Sequence, residues 1–160
     1  MDKLHIVCVD ENVEITFKLL HDLAPLSDLV TVHQYNSADK ALSGIKELDK
    51  HGEFVAVVVS NIITCSESGA PLLEVIADDP DFRFTKRVLI TDNPSKDVLS
   101  HAINVAHISR FYEFDWDAEV LLQQARSLVT KYVFAKGLDY HKYQALLDYE
   151  TILKRMRRNG

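Results

Sequence analysis

A doubly wound α/β fold, a single parallel sheet with helices on both faces, is what this sequence predicts, and three observations carry the prediction. Phe54 to Asn61 reads FVAVVVSN, an apolar β-branched run that ends at a small polar pair, as in a central strand covered on both sides. Five short apolar runs alternate with five segments of helical periodicity, which implies right-handed crossovers between parallel strands. Several of the runs end on polar residues, so the chain delivers Asp10, Asn61 and Thr91 to the carboxyl edge of the sheet, where open α/β folds bind ligands.

Leu4 to Val9 predicts the first strand, followed by Asp10-Glu11-Asn12. Val13 to Ala24 carries Ile15, Phe17, Leu19, Leu20 and Leu23 at near-helical spacing before Pro25. Leu29 to Tyr35 is the second strand, and Ser37 caps a helix from Ala38 to about Leu48. Within the central strand, Val55, Val57 and Val59 alternate with Ala56 and Val58. Ile62 to Ser68 is a loop, Gly69 opens a short helix through Leu72, Leu73 and Ile76, and Asp78 to Phe82 is a polar break. Arg87 to Thr91 is the fourth strand, Lys96 to about Ala106 a helix, and Ile108 to Tyr112 the fifth strand. A long helix follows from Asp115 to about Ala135, with Val120, Leu121, Ala125, Leu128 and Tyr132 on its apolar side. Beyond Gly137, Tyr140 to Arg158 predicts one more helix with a narrow seam of Tyr143, Leu146, Tyr149, Leu153 and Met156.

The length of 160 residues suits one domain with room for an appended element. Residues 1–136 form the α/β body and residues 137–160 a helical extension, read either as a lid folded back on the body or as a dimerising or signalling helix; the second is favoured. A net charge of −6 argues against nucleic-acid contact. The tail from Lys136 is nevertheless basic, with Lys154, Arg155, Arg157 and Arg158 crowding its last turn. Cys8 lies in a strand and Cys65 in a loop, which predicts neither a disulfide framework nor a metal site. No secretion signal and no apolar run of membrane-spanning length are found, so the expected setting is the reducing cytoplasm.

The order of these pieces, with Asp10-Glu11 after the first strand, Ser60-Asn61 after the third, Ile90-Thr91-Asp92 after the fourth and RFYEFDW from Arg110 to Trp116 after the fifth, resembles the receiver domain of two-component response regulators. The resemblance spans roughly residues 3 to 130 and implies a CheY-like, flavodoxin-like fold. In that family an acidic pair holds magnesium, and an aspartate ending the third strand accepts a phosphoryl group from a histidine kinase. A Ser or Thr after the fourth strand and a Lys after the fifth contact the phosphate, and an aromatic residue three positions before that Lys reports the change.

Carried onto this chain, the resemblance puts Asp10 and Glu11 at the acidic pair, Thr91 at the hydroxyl position and Phe111 at the aromatic switch position. Asn61 stands where the phosphoacceptor belongs and Phe114 where the lysine belongs. Thr64-Cys65 replaces the family's usual Met-Pro pair, whereas Gly69 agrees with the family's glycine that opens the following helix. A neutral amide offers no carboxylate nucleophile, and Phe114 supplies no cation for a phosphoryl oxygen. With one carboxylate fewer, Asp10 and Glu11 would hold Mg2+ weakly.

The reading is therefore a pseudo-receiver: a signal-transduction module without enzymatic activity that binds protein partners, as a homodimer, without phosphorylation. Phe111, Tyr112, Phe114 and Trp116 place aromatics near the face on which receivers usually pair. Asn61 has two readings, a turn former at a strand end or a hydrogen-bonding group in a ligand or partner site. The same sheet edge leaves a small-molecule or nucleotide-binding regulatory domain as an alternative, although the acidic DENVE after the first strand would repel phosphate. A further alternative is the input domain of a longer two-component regulator whose effector begins after Gly160.

Overall fold

Strand order places the first two strands and the last three on opposite sides of one reversal, and that reversal positions the site. The structure, a computed structural model, describes residues 3–61 and 69–159. Its strands are β1 (Leu4–Val9), β2 (Val30–Tyr35), β3 (Phe54–Asn61), β4 (Lys86–Thr91) and β5 (Arg110–Glu113). All pair in parallel, in the order β2-β1-β3-β4-β5, the flavodoxin-like order with its switch point between β1 and β3. The helices are α1 (Val13–Leu23), α2 (Ala38–Lys50), α3 (Leu72–Asp78), α4 (Lys96–Asn104), α5 (Ala118–Lys136) and α6 (Tyr149–Asn159).

Two apolar layers cover the sheet. On one face Leu19 and Leu23 of α1 meet Leu121, Leu128, Val129 and Val133 of α5 over Ile6, Cys8, Val57 and Val59. On the other, Ala41 and Ile45 of α2, Leu73 and Ile76 of α3 and Ala102 of α4 close over Val7, Val9, Val58 and Leu89. Every β3 residue after Phe54 is buried, and each such valine contributes about 1.5–3 kcal/mol relative to exposure.

The alternation along β3 is broken once. Its register with β1 slips between His5 and Ile6, and both Ala56 and Val57 face the α1/α5 layer. This β-bulge reverses the phase of the remaining strand. Asn61 consequently runs in phase with Val57 and Val59, and Asp10 with Ile6 and Cys8.

Local chemistry sets the helix limits. Asn12, Ser37, Ser95 and Asp117 accept backbone N–H bonds at the starts of α1, α2, α4 and α5. The long helix begins at Ala118 and not at Asp115, because Asp115 adopts a left-handed φ of 67° that a helix interior excludes. Val120, expected on its apolar side, is half exposed, while the remaining four residues named for that side are buried. Gly137, at φ 77°, ends the helix in a left-handed cap.

The tail is not one helix. Asp139 caps a single 3-10 turn from Tyr140 to Tyr143, and a second start follows at Asp148, whose carboxylate accepts from the Thr151 N–H at 3.1 Å. Thr130 on α5 receives the Asp148 N–H at 2.8 Å and Arg126 donates to the Leu146 carbonyl at 3.0 Å. The expected seam therefore divides. Tyr143 and Leu146, with Leu147, are buried in the α1/α5 layer, whereas Tyr149 and Met156 are exposed. In this structure the extension packs back on the body. The loop residues Ile62 to Ser68, including Thr64 and Cys65, lie outside the described residues.

Candidate functional site

Three strand ends converge at the carboxyl edge. Asp10 follows β1, Asn61 ends β3 and Thr91 ends β4, each at most 6% exposed. Asn61 pairs in register with Ile90, the residue before Thr91, so the three positions are neighbours across the sheet. The Asn61 amide Nδ2 donates to Asp10 Oδ2 at 3.3 Å. The other carboxylate oxygen, Oδ1, accepts the Asn12 N–H at 2.8 Å, and the Asn12 side chain in turn caps α1 through the Glu14 N–H. Asp10 is thereby satisfied from within the protein on both oxygens.

Glu11, the second member of the expected acidic pair, is exposed while Asp10 is buried. Among the described residues no three His, Cys, Asp or Glu side chains gather to hold a metal ion. Among the described residues, the carboxylates offered to Mg2+ by the expected pair are one buried group already committed to an amide, and one exposed glutamate. That set fits poorly the octahedral oxygen shell Mg2+ demands.

The aromatics on and just after β5 do not form one surface. Phe111 packs into the α2/α3/α4 layer, while Tyr112 and Phe114 pack against the opposite one. Trp116 turns toward α1, where its indole N–H donates to Asp22 at 2.8 Å and Lys18 lies 4.1 Å over its ring. Burial pushes the Asp22 carboxyl up, but hydrogen bonds from Lys18, Trp116 and His21 outweigh it and leave the group below its ordinary range. Trp116 is thus a clasp between α1 and the β5–α5 connection. The Phe114 N–H donates to the Thr91 carbonyl at 3.3 Å, fixing the backbone where the family's lysine would stand.

Two further features went unread in the sequence. His5, His33 and Glu53 form a chain, with His5 Nδ1 2.8 Å from His33 Nε2 and His5 Nε2 2.9 Å from Glu53. Neutral rings satisfy both contacts when His33 donates to His5 and His5 donates to Glu53. Burial, followed by the charge of His5, holds the His33 imidazole below its ordinary value of 6.5. The second feature is a cationic concavity beside α6. Cys8 is inert, its thiol pushed up to about 12 by burial.

No family model matches the chain, and no curated protein matches it significantly. Solved structures do. The signal receiver domain of an HD domain-containing protein from Pseudomonas fluorescens Pf-5 superposes with a TM-score of 0.69 at 24% identity, covering 86% of this chain and 94% of that one. The chain has the receiver fold. Chemotaxis protein CheY4 of Vibrio cholerae is similar at a TM-score of 0.64 and 14% identity, over 79% and 98% of the two chains. A CheY-like response regulator receiver domain protein from Methanospirillum hungatei JF-1 gives 0.63 and 16%, over 82% and 97%. The five-stranded parallel sheet with helices on both faces thus matches the sequence expectation. Among the described residues no helix is long and apolar enough to cross a membrane.

The cavity beside Asn61, bounded by Pro71, Leu73, Glu74, His101 and Ala102, has a volume of about 10 Å3. Such a space admits about one water molecule.

Proposed function

We propose that this chain is a receiver-like signalling module of the two-component type that acts through protein contacts, without phosphoryl transfer at Asn61. The Asn61–Asp10 hydrogen bond carries the reading. A receiver's chemistry requires a carboxylate oxygen free to attack phosphorus; here the equivalent position is an amide whose N–H is turned to the remaining aspartate. Phe114, half-buried against the α1/α5 layer, brings no positive charge to a developing phosphoryl oxygen. Asp10 and Glu11 would hold Mg2+ only weakly.

Output then rests on surfaces that phosphorylation does not remodel. Ile103 on α4 and Val120 on α5, the helices that flank β5, are both about half exposed, and they suit a homodimer or a partner protein at that face. The expected setting is the cytoplasm. Sedimentation equilibrium with and without beryllofluoride tests the proposal. An association constant unchanged by the reagent supports it, and a beryllofluoride-dependent shift in oligomeric state overturns it. The double variant Asn61→Asp/Phe114→Lys is expected to gain the response that the parent lacks.

A further inference from the structure

The amino edge of the sheet, remote from Asn61, carries a second and larger concavity of about 730 Å3 between the β4–β5 edge, α5 and α6. Six cations line it. Lys86 and Arg110 are the first residues of β4 and β5, Lys131 comes from α5, and Lys154, Arg155 and Arg158 come from α6. Its two carboxylates are Asp148 and Glu150, and Asp148 is engaged by Thr151. Among the described residues none of the six cations makes an ion pair.

These charges are held close at a cost. Burial, then repulsion from Lys131, Arg87, Arg155 and Arg110, depresses the Lys86 ammonium below its ordinary range. Burial, then Arg110, Arg158 and Lys154, depresses Lys131 in the same direction. A chain of net charge −6 has carboxylates to spare, yet places almost none of them here. The cations are also aimed: Gln124 and the Ser109 carbonyl hold Arg110, and Arg155 lies 5.7 Å over the Phe134 ring.

We propose that this concavity binds a small soluble polyanion, a metabolite carrying two or more linked phosphate groups, such as a nucleoside triphosphate. Several cations converging from separate elements suit several oxyanions on one molecule. The volume lies within the range of about 300–1,000 Å3 typical of small-molecule pockets. Gln123, also at the wall, adds a neutral donor for the remaining oxygens, while the Ser127 hydroxyl donates to Thr151, which in turn donates to Asp148. A nucleic-acid strand would require the cations drawn out into a stripe along an extended face; here they close around one hollow in an acidic protein.

Calorimetric titration of the full chain with inorganic tripolyphosphate at low ionic strength is the test. The expected result is saturable one-to-one binding that weakens as salt rises. Lys86→Gln/Lys131→Gln should lower the affinity at least tenfold, while Lys46→Gln, an exposed lysine on α2, leaves it unchanged. Lys154→Gln, exposed on α6, provides a second variant that cannot fail through misfolding of the body and should weaken binding several-fold. Titration with ATP separates sources: tighter binding than tripolyphosphate assigns a nucleotide, and equal binding assigns the phosphate chain alone. Absence of binding, non-saturating uptake, indifference to the lysine variants, or displacement of tripolyphosphate by a single-stranded oligonucleotide at lower concentration overturns the proposal.

Discussion

The two edges of the sheet treat their polar groups in opposite ways. At the carboxyl edge Asp10 uses both oxygens on Asn61 and Asn12, and the adjoining cavity has room for about one water. At the amino edge, on the β4–β5 side, six cations line one hollow without a single ion pair among the described residues. In receivers the carboxyl edge is the chemically unbalanced end, and the imbalance is what recruits a metal and a phosphoryl group. In this chain the imbalance lies at the other end. A polar group already satisfied internally has little to offer a ligand, whereas a group left short of partners gains most when one arrives.

The difference depends on the tail being seated against α5. Leu146 is 2% exposed, and its replacement by alanine should cost about 2–5 kcal/mol by urea unfolding. Because α6 follows directly, Leu146→Ala should also open the cationic hollow, read as new protease cleavage between Leu138 and Asp148. Cleavage unchanged from the parent would show that α6 is held by something other than this anchor.

Restoring the imbalance at the carboxyl edge is the next largest perturbation. Asn61→Asp replaces a donor 3.3 Å from Asp10 Oδ2 with a like charge and should destabilise the protein by about 1–3 kcal/mol near neutral pH. The repulsion raises the carboxyl pKa of the pair in the folded state, so the penalty fades as pH falls and one proton is shared. Millimolar Mg2+ should offset it at pH 7 in thermal melts. A variant as stable as the parent at every pH would mean that the two side chains do not face one another.

The histidine chain gives a finer test, because it lies at the same edge as the hollow yet is internally satisfied. His33 is held below its ordinary value of 6.5, so the folded state favours the neutral ring. Its contribution is complete above about pH 6.5 and is lost as pH falls through the lower folded value. Chemical unfolding between pH 7.5 and 5 should therefore show a decline that His33→Gln flattens. An identical slope in the variant would assign the decline to other groups.

The smallest effect concerns an unpartnered group without charge. The buried Tyr112 hydroxyl has no hydrogen-bond partner among the described residues, and burial raises its pKa. Tyr112→Phe should be neutral or stabilising by up to about 1 kcal/mol. A loss of stability on thermal melting would reveal a partner for that hydroxyl.

How much of this was legible in the sequence follows from the range of each interaction. The β3 run could be read because an uninterrupted apolar stretch has one economical use, and Asp10 and Asn61 could be juxtaposed because adjacent parallel strands end together. The bulge at Ala56 could not, since a slip of one residue leaves no mark in a run that is apolar throughout. Asp115 and Asp117 are equally good caps by composition; the left-handed backbone at Asp115 decides between them. The tail misled for a related reason. Tyr143 closes a 3-10 turn, Leu146 lies in the turn after it, and Tyr149 and Met156 belong to an α-helix, so their common spacing of three and four joins pieces that share no face. Lys86, Arg110, Lys131 and Lys154 each look like a solvated surface charge, and only the packing of α6 against α5 brings them around one hollow.

Phosphoryl transfer at the carboxyl edge is what separates the proposed module from a working receiver. Intact-mass spectrometry of the parent chain after incubation with acetyl phosphate and Mg2+ addresses it directly, with Asn61→Asp/Phe114→Lys run alongside. The expected result is an unmodified parent mass. A phosphorylated parent, with an acyl phosphate mapped to Asp10 or Glu11, would contradict it.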